Sequence, residues 1–383
     1  MKCAVLLADG MADRPLGQLG GQTPLEFAHT PNMDYIAEEG ACGMLRTIPF
    51  GFEAGSDIAN LSILGYDPRI YYTGRGPLEA ASLAVDLGDN DVAYRCNLVT
   101  IESGLMHDFS AGHIPSGEGA ALIHAIDGLV PGVHLYPGVS YRNLLVVPGG
   151  AGAATTPPHD IVGKPVAEHL PRGGDAPLLH RTMEMCGHIL AGHPINEARA
   201  RAGHAPGNAI WPWSGGRKPA LPLFRKKFGI DGGMIAAVDL LNGIARYAGM
   251  EVIHVPGATG FLDTDYHAKG KYALAALERL DFMYVHVEAI DEAGHMGSID
   301  EKVRAIERFD EMVGIVLDGF DGIIAVLPDH PTPIVEKTHT NDPVPFAVLG
   351  KGKDACTRFS EKEAAKGVFG LLEGCSFLPL LLQ

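Results

Sequence analysis

The sequence predicts an α/β fold with a mostly parallel central sheet flanked by helices, carrying a smaller inserted α+β domain. Three observations predict it. Short apolar stretches end abruptly at acidic residues, an amphipathic helix separates two of them, and the middle of the chain differs in composition from both ends. At 383 residues the chain has room for one large domain or two of ordinary size. A hydrophobic share of 46% supplies a core, and 49 glycines with 27 prolines imply tight turns rather than disorder.

The first stretch, Lys2 to Ala8, reads as a short central strand that stops at Asp9-Gly10, the kind of strand-to-loop junction where α/β enzymes place ligands. The second, Phe282 to Val287, mixes aromatic and β-branched residues before reaching Glu288 and the run Asp291 to His295. Between it and the third, Ser298 to Leu317 places apolar residues at helical spacing with charges between them. The third stretch, Gly322 to Leu327, is stopped by Pro328 and delivers Asp329 and His330; a fourth, Phe346 to Leu349, follows. Strands alternating with helices are what a parallel sheet requires. Gly149 to Thr156 is almost all Gly, Ala and Thr, and Pro, Gly and His stay frequent through Arg217, which predicts a loop-rich insertion. We place this domain at residues 76–221, with residues 1–75 and 222–383 folding together around one sheet. The stretch HRTMEMCGHILAGHPINEARARAG within it reads as helical.

A formal charge of −16 argues against non-specific attraction to nucleic acid or to an anionic membrane, both of which need clustered Lys and Arg. It leaves room for an anionic substrate, because bound cations neutralise carboxylates. The six cysteines, Cys3, Cys42, Cys96, Cys186, Cys356 and Cys375, are scattered without a CxxC pair and read as buried reduced thiols. Neither a signal segment nor a membrane span is visible, so a cytoplasmic location is expected. A homo-oligomer is compatible with the sequence.

Four places at predicted strand ends or adjacent loops supply ligand atoms: Asp9, the pair Asp291 and His295, the pair Asp329 and His330, and His339. Taken singly, each reads as an ordinary turn, cap or solvated face. Together they mark the end of a parallel sheet where such folds put their active sites. Three Asp and three His form the mixed oxygen and imidazole set that suits Mn²⁺ or Zn²⁺, whereas Mg²⁺ or Ca²⁺ favours oxygen alone. Six ligands can hold two divalent ions. Ser56, in FEAGSDIANLSILGYDP, reads both as a helix N-cap and as a nucleophile, since a helix start offers free N–H groups and a positive dipole end to a phosphate. Its hydroxyl is a poor nucleophile near neutral pH unless a metal lowers its pKa.

These residues lie in a series of motifs: VLLADGMADRP, AGSDIANLSILGYDP, YYTGRGPLEAAS, RCNLVT with DFSAGHI, GNAIWPWSGG, GGMIAAVDLLNGIARYAG, GATGFLDTDY, EAIDEAGH, LPDHPTP and KTHTNDPVPF. In this order, over most of the chain, they resemble the archaeal-type bisphosphoglycerate-independent phosphoglycerate mutases of the alkaline phosphatase superfamily. The resemblance implies an alkaline-phosphatase-like core and two ions, Mn²⁺ foremost with Mg²⁺, Zn²⁺ or Co²⁺ as substitutes. It implies Asp291, His295 and His339 around one ion and Asp9, Ser56, Asp329 and His330 around the other. Ser56 then takes the phosphoryl group from 3-phosphoglycerate and returns it to the other hydroxyl of the retained glycerate, with the inserted domain acting as a lid that excludes water. Candidates for gripping the phosphorylated substrate are Arg95, Arg142, Arg217 and Lys218, with Lys269 from the core side, since arginine suits planar anions. Asp108 and His113 in DFSAGHI are candidates for proton transfer. The continuation IPSGEGAAL and the segment near Gly149 depart from the family pattern and bear on the substrate. The alternatives are a homoserine kinase-like phosphotransferase on the same metal site, a related phosphomonoesterase or phosphopentomutase, and a catalytically dead scaffold.

Overall fold

The apolar stretches become strands because side chains buried on both faces leave a strand nothing to alternate with. The computed structural model describes residues 2–383. The strands in chain order are β1 (Cys3–Ala8), β2 (Ala41–Arg46), β3 (Val92–Glu102), β4 (Leu105–Asp108), β5 (His134–Tyr136), β6 (Arg142–Val147), β7 (Ala209–Gly216), β8 (Gly232–Ile235), β9 (Glu251–Val252), β10 (Phe282–Val287), β11 (Ile323–Leu327), β12 (Val344–Leu349) and β13 (Leu371–Glu373). The chain divides into two compact units, Met1–Tyr72 with Leu221–Gln383, and Thr73–Ala220.

The first unit is an α/β layer built on an eight-stranded sheet of order β13-β2-β12-β11-β1-β10-β8-β9. β1 pairs in parallel with β10 on one side and β11 on the other, with Ala8 opposite Val287 and Leu7 opposite Leu327. Only the pairings of β12 with β11 and β2 are antiparallel. Alternate residues of the three central strands, Ala4 and Leu6, Met283 and Val285, Ile324 and Val326, face one core cluster. Helix Ile299–Gly319 closes that face with Ile306, Phe309, Met312, Val313 and Val316, all 0% exposed. Its first turn is fixed by the Ser298 side chain, which accepts from Glu301 N–H. Each such apolar side chain contributes about 1.5–3 kcal/mol by leaving water, and truncating Phe309 to alanine costs about 3–5 kcal/mol. No helix among the described residues is long and apolar enough to cross a membrane.

The second unit contains a five-stranded sheet of order β4-β3-β6-β5, with β7 on the other flank of β3, all antiparallel. The Pro and Gly content that reads as loops therefore surrounds a regular sheet. The helices Ala176–Ala191 and Pro194–Arg201 occupy the stretch read as helical, and Leu179, Cys186 and Leu190 pack into this unit's own core.

Candidate metal centre

Since β1, β10 and β11 are parallel neighbours, their carboxyl ends open at one edge of the sheet. β1 delivers Asp9 and β11 delivers Asp329 and His330. β10 leads into helix Ala289–Met296, where Asp291 and His295 lie one turn apart on one face. His339 comes from the loop before β12. The turn after Asp9 needs Gly10, whose φ of +65° is left-handed and whose added Cβ would lie 2.5 Å from Asp291 Oδ1.

Two groups of ligand atoms form, each with all atoms within 4.8 Å of one another: Asp291, His330 and His339, and Asp9, Asp329 and His330. His295 Nε2 lies 3.1 Å from Asp291 Oδ2 and 3.0 Å from His339 Nε2, which is 3.5 Å from Asp291 Oδ1. His330 Nε2 lies 3.4 Å from Asp9 Oδ1, 3.6 Å from Asp329 Oδ2 and 3.1 Å from Ser56 Oγ. Ser56 opens helix Ser56–Ile63 and is half-buried. Asp9, Asp291, Asp329, His295, His330, His339 and Ser56 are thus gathered at one place.

The donor set fits cations. His295 Nδ1 is 2.9 Å from the Lys337 carbonyl, which can only accept, so Nδ1 carries the hydrogen and Nε2 turns its lone pair toward Asp291. A carboxylate and an imidazole lone pair in that contact need a proton or a metal ion between them. Pairing with Asp291 pushes His295 up to about 9, the proton taking the cation's part. Burial resists ionisation of Asp291, yet the partnership with His295 and His339 prevails and holds it well below the carboxylate range. Burial and the carboxylates of Asp329, Asp291 and Glu288 push Asp9 well above its usual value, and its buried Oδ1 has no hydrogen-bond partner. Carboxylates crowded this way without bound charge are costly. The α/β fold and these groups support a site for divalent metals.

Neighbouring side chains and backbone groups hold these residues in place. Asp329 Oδ1 accepts from Gly10 N–H at 3.2 Å and His330 N–H at 2.9 Å. The Thr332 hydroxyl donates to Asp291 Oδ1 and sits 3.3 Å from His330 Nδ1. The fully buried Lys302 ammonium pairs with Asp13 Oδ2 at 2.8 Å and donates to the Thr332 carbonyl at 2.8 Å, tying together the loops that follow β1 and β11. His286 Nε2, also buried, is 3.1 Å from Asp9 Oδ2. Sequence reasoning missed Asp13, His286, Lys302 and Thr332. Asp13 and Thr332 stand in quoted motifs, and a histidine inside an otherwise apolar strand was a visible signal. Lys269 is fully buried and donates to the His286 carbonyl at 2.9 Å, and burial pulls it down to about 8.

Cys42 and Cys356, far apart in sequence, meet beside Asp354 with ligand atoms within 4.8 Å. That cluster is satisfied internally: the carboxylate accepts from the N–H groups of Cys42, Cys356 and Val368, and Cys356 Sγ donates to the Glu363 carbonyl.

The remaining candidates belong to the second unit. Arg95 on β3 pairs with Glu79 at 2.8 Å and lies over Trp213, 4.6 Å from the ring centre. Burial, and after it the charges of Arg75 and Arg142, pull Arg95 down despite Glu79, so these three cations are near neighbours. Arg75, another residue sequence reasoning passed over, sits in YYTGRGPLEAAS. Arg142 is exposed and lies 5.5 Å from the Tyr141 ring centre; Arg217 donates to the Gly150 carbonyl at 2.8 Å, and Lys218 is exposed. Asp108 accepts from the Ser110 N–H and hydroxyl and from Gly112 N–H. Burial works against its charge, but the Ser110 bonds prevail and hold it below the usual range. His113 is exposed, its ring edge-on to Tyr141 at 5.8 Å.

The family model described as 2,3-bisphosphoglycerate-independent phosphoglycerate mutase matches residues 37–196. A protein of Methanothrix thermoacetophila called by that name is 50% identical over 390 residues, covering 100% of both chains. One of Methanothermobacter thermautotrophicus, called 2,3-bisphosphoglycerate-independent phosphoglycerate mutase 2, is 51% identical over 393 residues, covering 100% of this chain and 98% of the other. Among solved structures, a Pyrococcus horikoshii protein superposes with a TM-score of 0.87 at 34% identity, covering 100% of this chain and 96% of that one. The cofactor-independent phosphoglycerate mutase from Thermoplasma acidophilum gives 0.70 at 29% identity, with 100% and 99% covered.

Proposed function

The chain belongs to the 2,3-bisphosphoglycerate-independent phosphoglycerate mutases, and we propose that it interconverts 3-phosphoglycerate and 2-phosphoglycerate through a phosphorylated Ser56. The observation that carries this reading is the 3.1 Å separation of Ser56 Oγ from His330 Nε2 at the start of a helix, beside the buried carboxylates of Asp9 and Asp329. We assign Asp291, His295 and His339 to one divalent ion and Asp9, Ser56, Asp329 and His330 to the other, with Mn²⁺ the metal of choice for this oxygen and imidazole set. When bound, such ions acidify a serine hydroxyl and stabilise charge on transferring phosphoryl oxygens.

The protein's own residues do the rest. Ser56 Oγ gives up its proton as it attacks phosphorus of the bound ester, the P–O bond to glycerate breaks, and that alkoxide takes up a proton. The phosphoserine then passes its phosphoryl group to the neighbouring hydroxyl, which gives up its proton while Ser56 Oγ, its bond to phosphorus broken, regains one. The first-turn N–H groups of helix Ser56–Ile63 favour the anion. Asp108, kept ionised by its Ser110 bonds, and His113 are assigned to these proton movements. Arg95, Arg142, Arg217 and Lys218 are assigned to the substrate carboxylate and phosphate; Lys269, fully buried and bonded to the His286 carbonyl, serves the core instead. The Arg95 guanidinium lies over the Trp213 ring and pairs with Glu79, and a planar fork of this kind suits bidentate recognition.

The test incubates purified protein, Mn²⁺ and 3-phosphoglycerate with coupled detection of 2-phosphoglycerate, beside homoserine with ATP. Formation of 2-phosphoglycerate, with a phosphate on Ser56 trapped by acid quench and found by mass spectrometry, is expected. Turnover of homoserine alone, or release of inorganic phosphate without isomerisation, overturns the assignment in favour of a kinase or a phosphomonoesterase.

A further inference from the structure

One turn after Ser56, helix Ser56–Ile63 carries Asn60, a primary amide with 0% exposure. Such a group has two N–H donors and one acceptor oxygen, and burying it is costly unless all are used. Here one N–H goes to the carbonyl of Ser56 at 2.8 Å and the other to Asp329 Oδ2 at 2.9 Å. On the opposite side the hydroxyl of Tyr284, a fully buried residue of β10, donates to Asn60 Oδ1. Both groups facing the amide nitrogen can only accept. Turning the amide over would set oxygen against both at once, so its orientation is fixed by the partners around it.

Asp329 has its own count. Oδ1 accepts from Gly10 and His330 N–H groups, and Oδ2 from Asn60. A carboxylate offers about four lone-pair sites, so Asn60 decides which direction on Oδ2 stays open. Oδ2 is also the oxygen 3.6 Å from His330 Nε2.

We propose that Asn60, oriented by Tyr284, is a positioning residue that joins the backbone of the nucleophile to the carboxylate of Asp329 and keeps one Oδ2 lone pair free for a cation. It rests on the proposed assignment of Asp329 and Ser56 to the second ion. The relay makes the distance between nucleophile and ligand a property of one amide group, and it predicts that its loss affects one ion and spares the other.

The experiment is Mn²⁺ titration of the full chain by calorimetry and electron paramagnetic resonance, on wild type, Tyr284→Phe and the double variant Tyr284→Phe with Asn60→Leu. The double variant removes both ends of the Tyr284–Asn60 bond together, so no orphaned hydroxyl or amide remains, while Asp329 Oδ2 and the Ser56 carbonyl lose their donor. Tyr284→Phe removes one oxygen and serves if the double variant does not fold. Wild type is expected to bind two ions with a spin-coupled signal. The double variant should bind one ion as before and the other about 10–100-fold more weakly, with lower kcat and little change in KM; Tyr284→Phe should shift the same ion in the same direction. Equal binding of both ions in wild type and variants overturns the relay and leaves the metal assignment standing. A wild type that binds no Mn²⁺ instead overturns the assignment on which the relay rests.

Discussion

His295 Nε2 and His339 Nε2 face each other at 3.0 Å across 44 positions of sequence, with Asp291 Oδ2 3.1 Å from the first. The Lys337 carbonyl fixes one hydrogen of His295 on its far nitrogen, so Nε2 is the atom that faces Asp291 and takes a proton or a cation. Removing a ligand from such a set should cost both binding and rate. Asp291→Asn and His330→Ala are each expected to lower Mn²⁺ affinity and kcat/KM by at least about tenfold, the scale already set by losing an outer partner. Metal content by mass spectrometry alongside initial rates checks this. Wild-type stoichiometry and rate in either variant would mean that these side chains are not ligands.

Ser56→Ala removes one half-buried oxygen and almost no apolar surface. Turnover should vanish while folding and the Asp291 ion persist. Full activity in this variant would falsify the phosphoserine route.

Gly10→Ala meets two obstacles. The left-handed φ of +65° costs a side-chain-bearing residue about 1–2 kcal/mol. The new Cβ would also sit 2.8 Å from Asp291 Cα, a backbone atom that cannot swing aside. Loss of stability in urea together with weakened Mn²⁺ binding is expected. Unchanged metal affinity would show that the loop can move away from Asp291 without consequence.

Glu361 bonds to Asp13 N–H and the Thr23 hydroxyl beneath the loop after β1. Burial raises it to about 7, Glu26 adds to the rise, and the hydrogen bonds only partly oppose it. A carboxyl that holds its proton more tightly folded than unfolded stabilises most at low pH. That contribution is complete below the ordinary glutamate value and disappears as pH climbs through about 7. Urea midpoints at pH 5 and pH 8 should therefore differ less for Glu361→Gln than for wild type. An equal difference in both proteins refutes this linkage.

Chelation should lower the melting temperature, because Asp9, Asp291 and Asp329 are at most 6% exposed and repel one another without bound charge. Restoring Mn²⁺ at a hundred times its dissociation constant should return about 2.7 kcal/mol per site. Calorimetric scans with and without chelator read this directly, and coincident transitions would argue against ions in the folded protein.

Much of the sheet was legible because fully buried strands are continuous apolar runs: β1, β10 and β11 fall on the stretches Lys2 to Ala8, Phe282 to Val287 and Gly322 to Leu327. Helix Ile299–Gly319 follows its own periodicity, with Ser298 as its cap. An α+β insertion was expected, but the places of its strands were hidden, because glycine and proline advertise the turns around a strand more loudly than the strand itself. At the centre, Asp9, Asp329 and His330 announce themselves as polar residues at the ends of apolar runs. Lys302 and Thr332 do not: a lysine on a charged helix and a threonine in a loop look solvated until the fold buries them. The meeting of Cys42 and Cys356 has no local signature either, since it arises from strand order and not from spacing.

The placement of β1 between β10 and β11 has a cost during synthesis. Both partners of the first strand leave the ribosome only after most of the chain has been made, so a long nascent polypeptide carries an apolar segment with open edges. Chains of this kind fold slowly and invite aggregation or chaperone capture. Translation must pass residue 339 before the side chains of Asp9, Asp291, Asp329, His330 and His339 can meet, and a product truncated before that point keeps Ser56 but loses part of its surroundings.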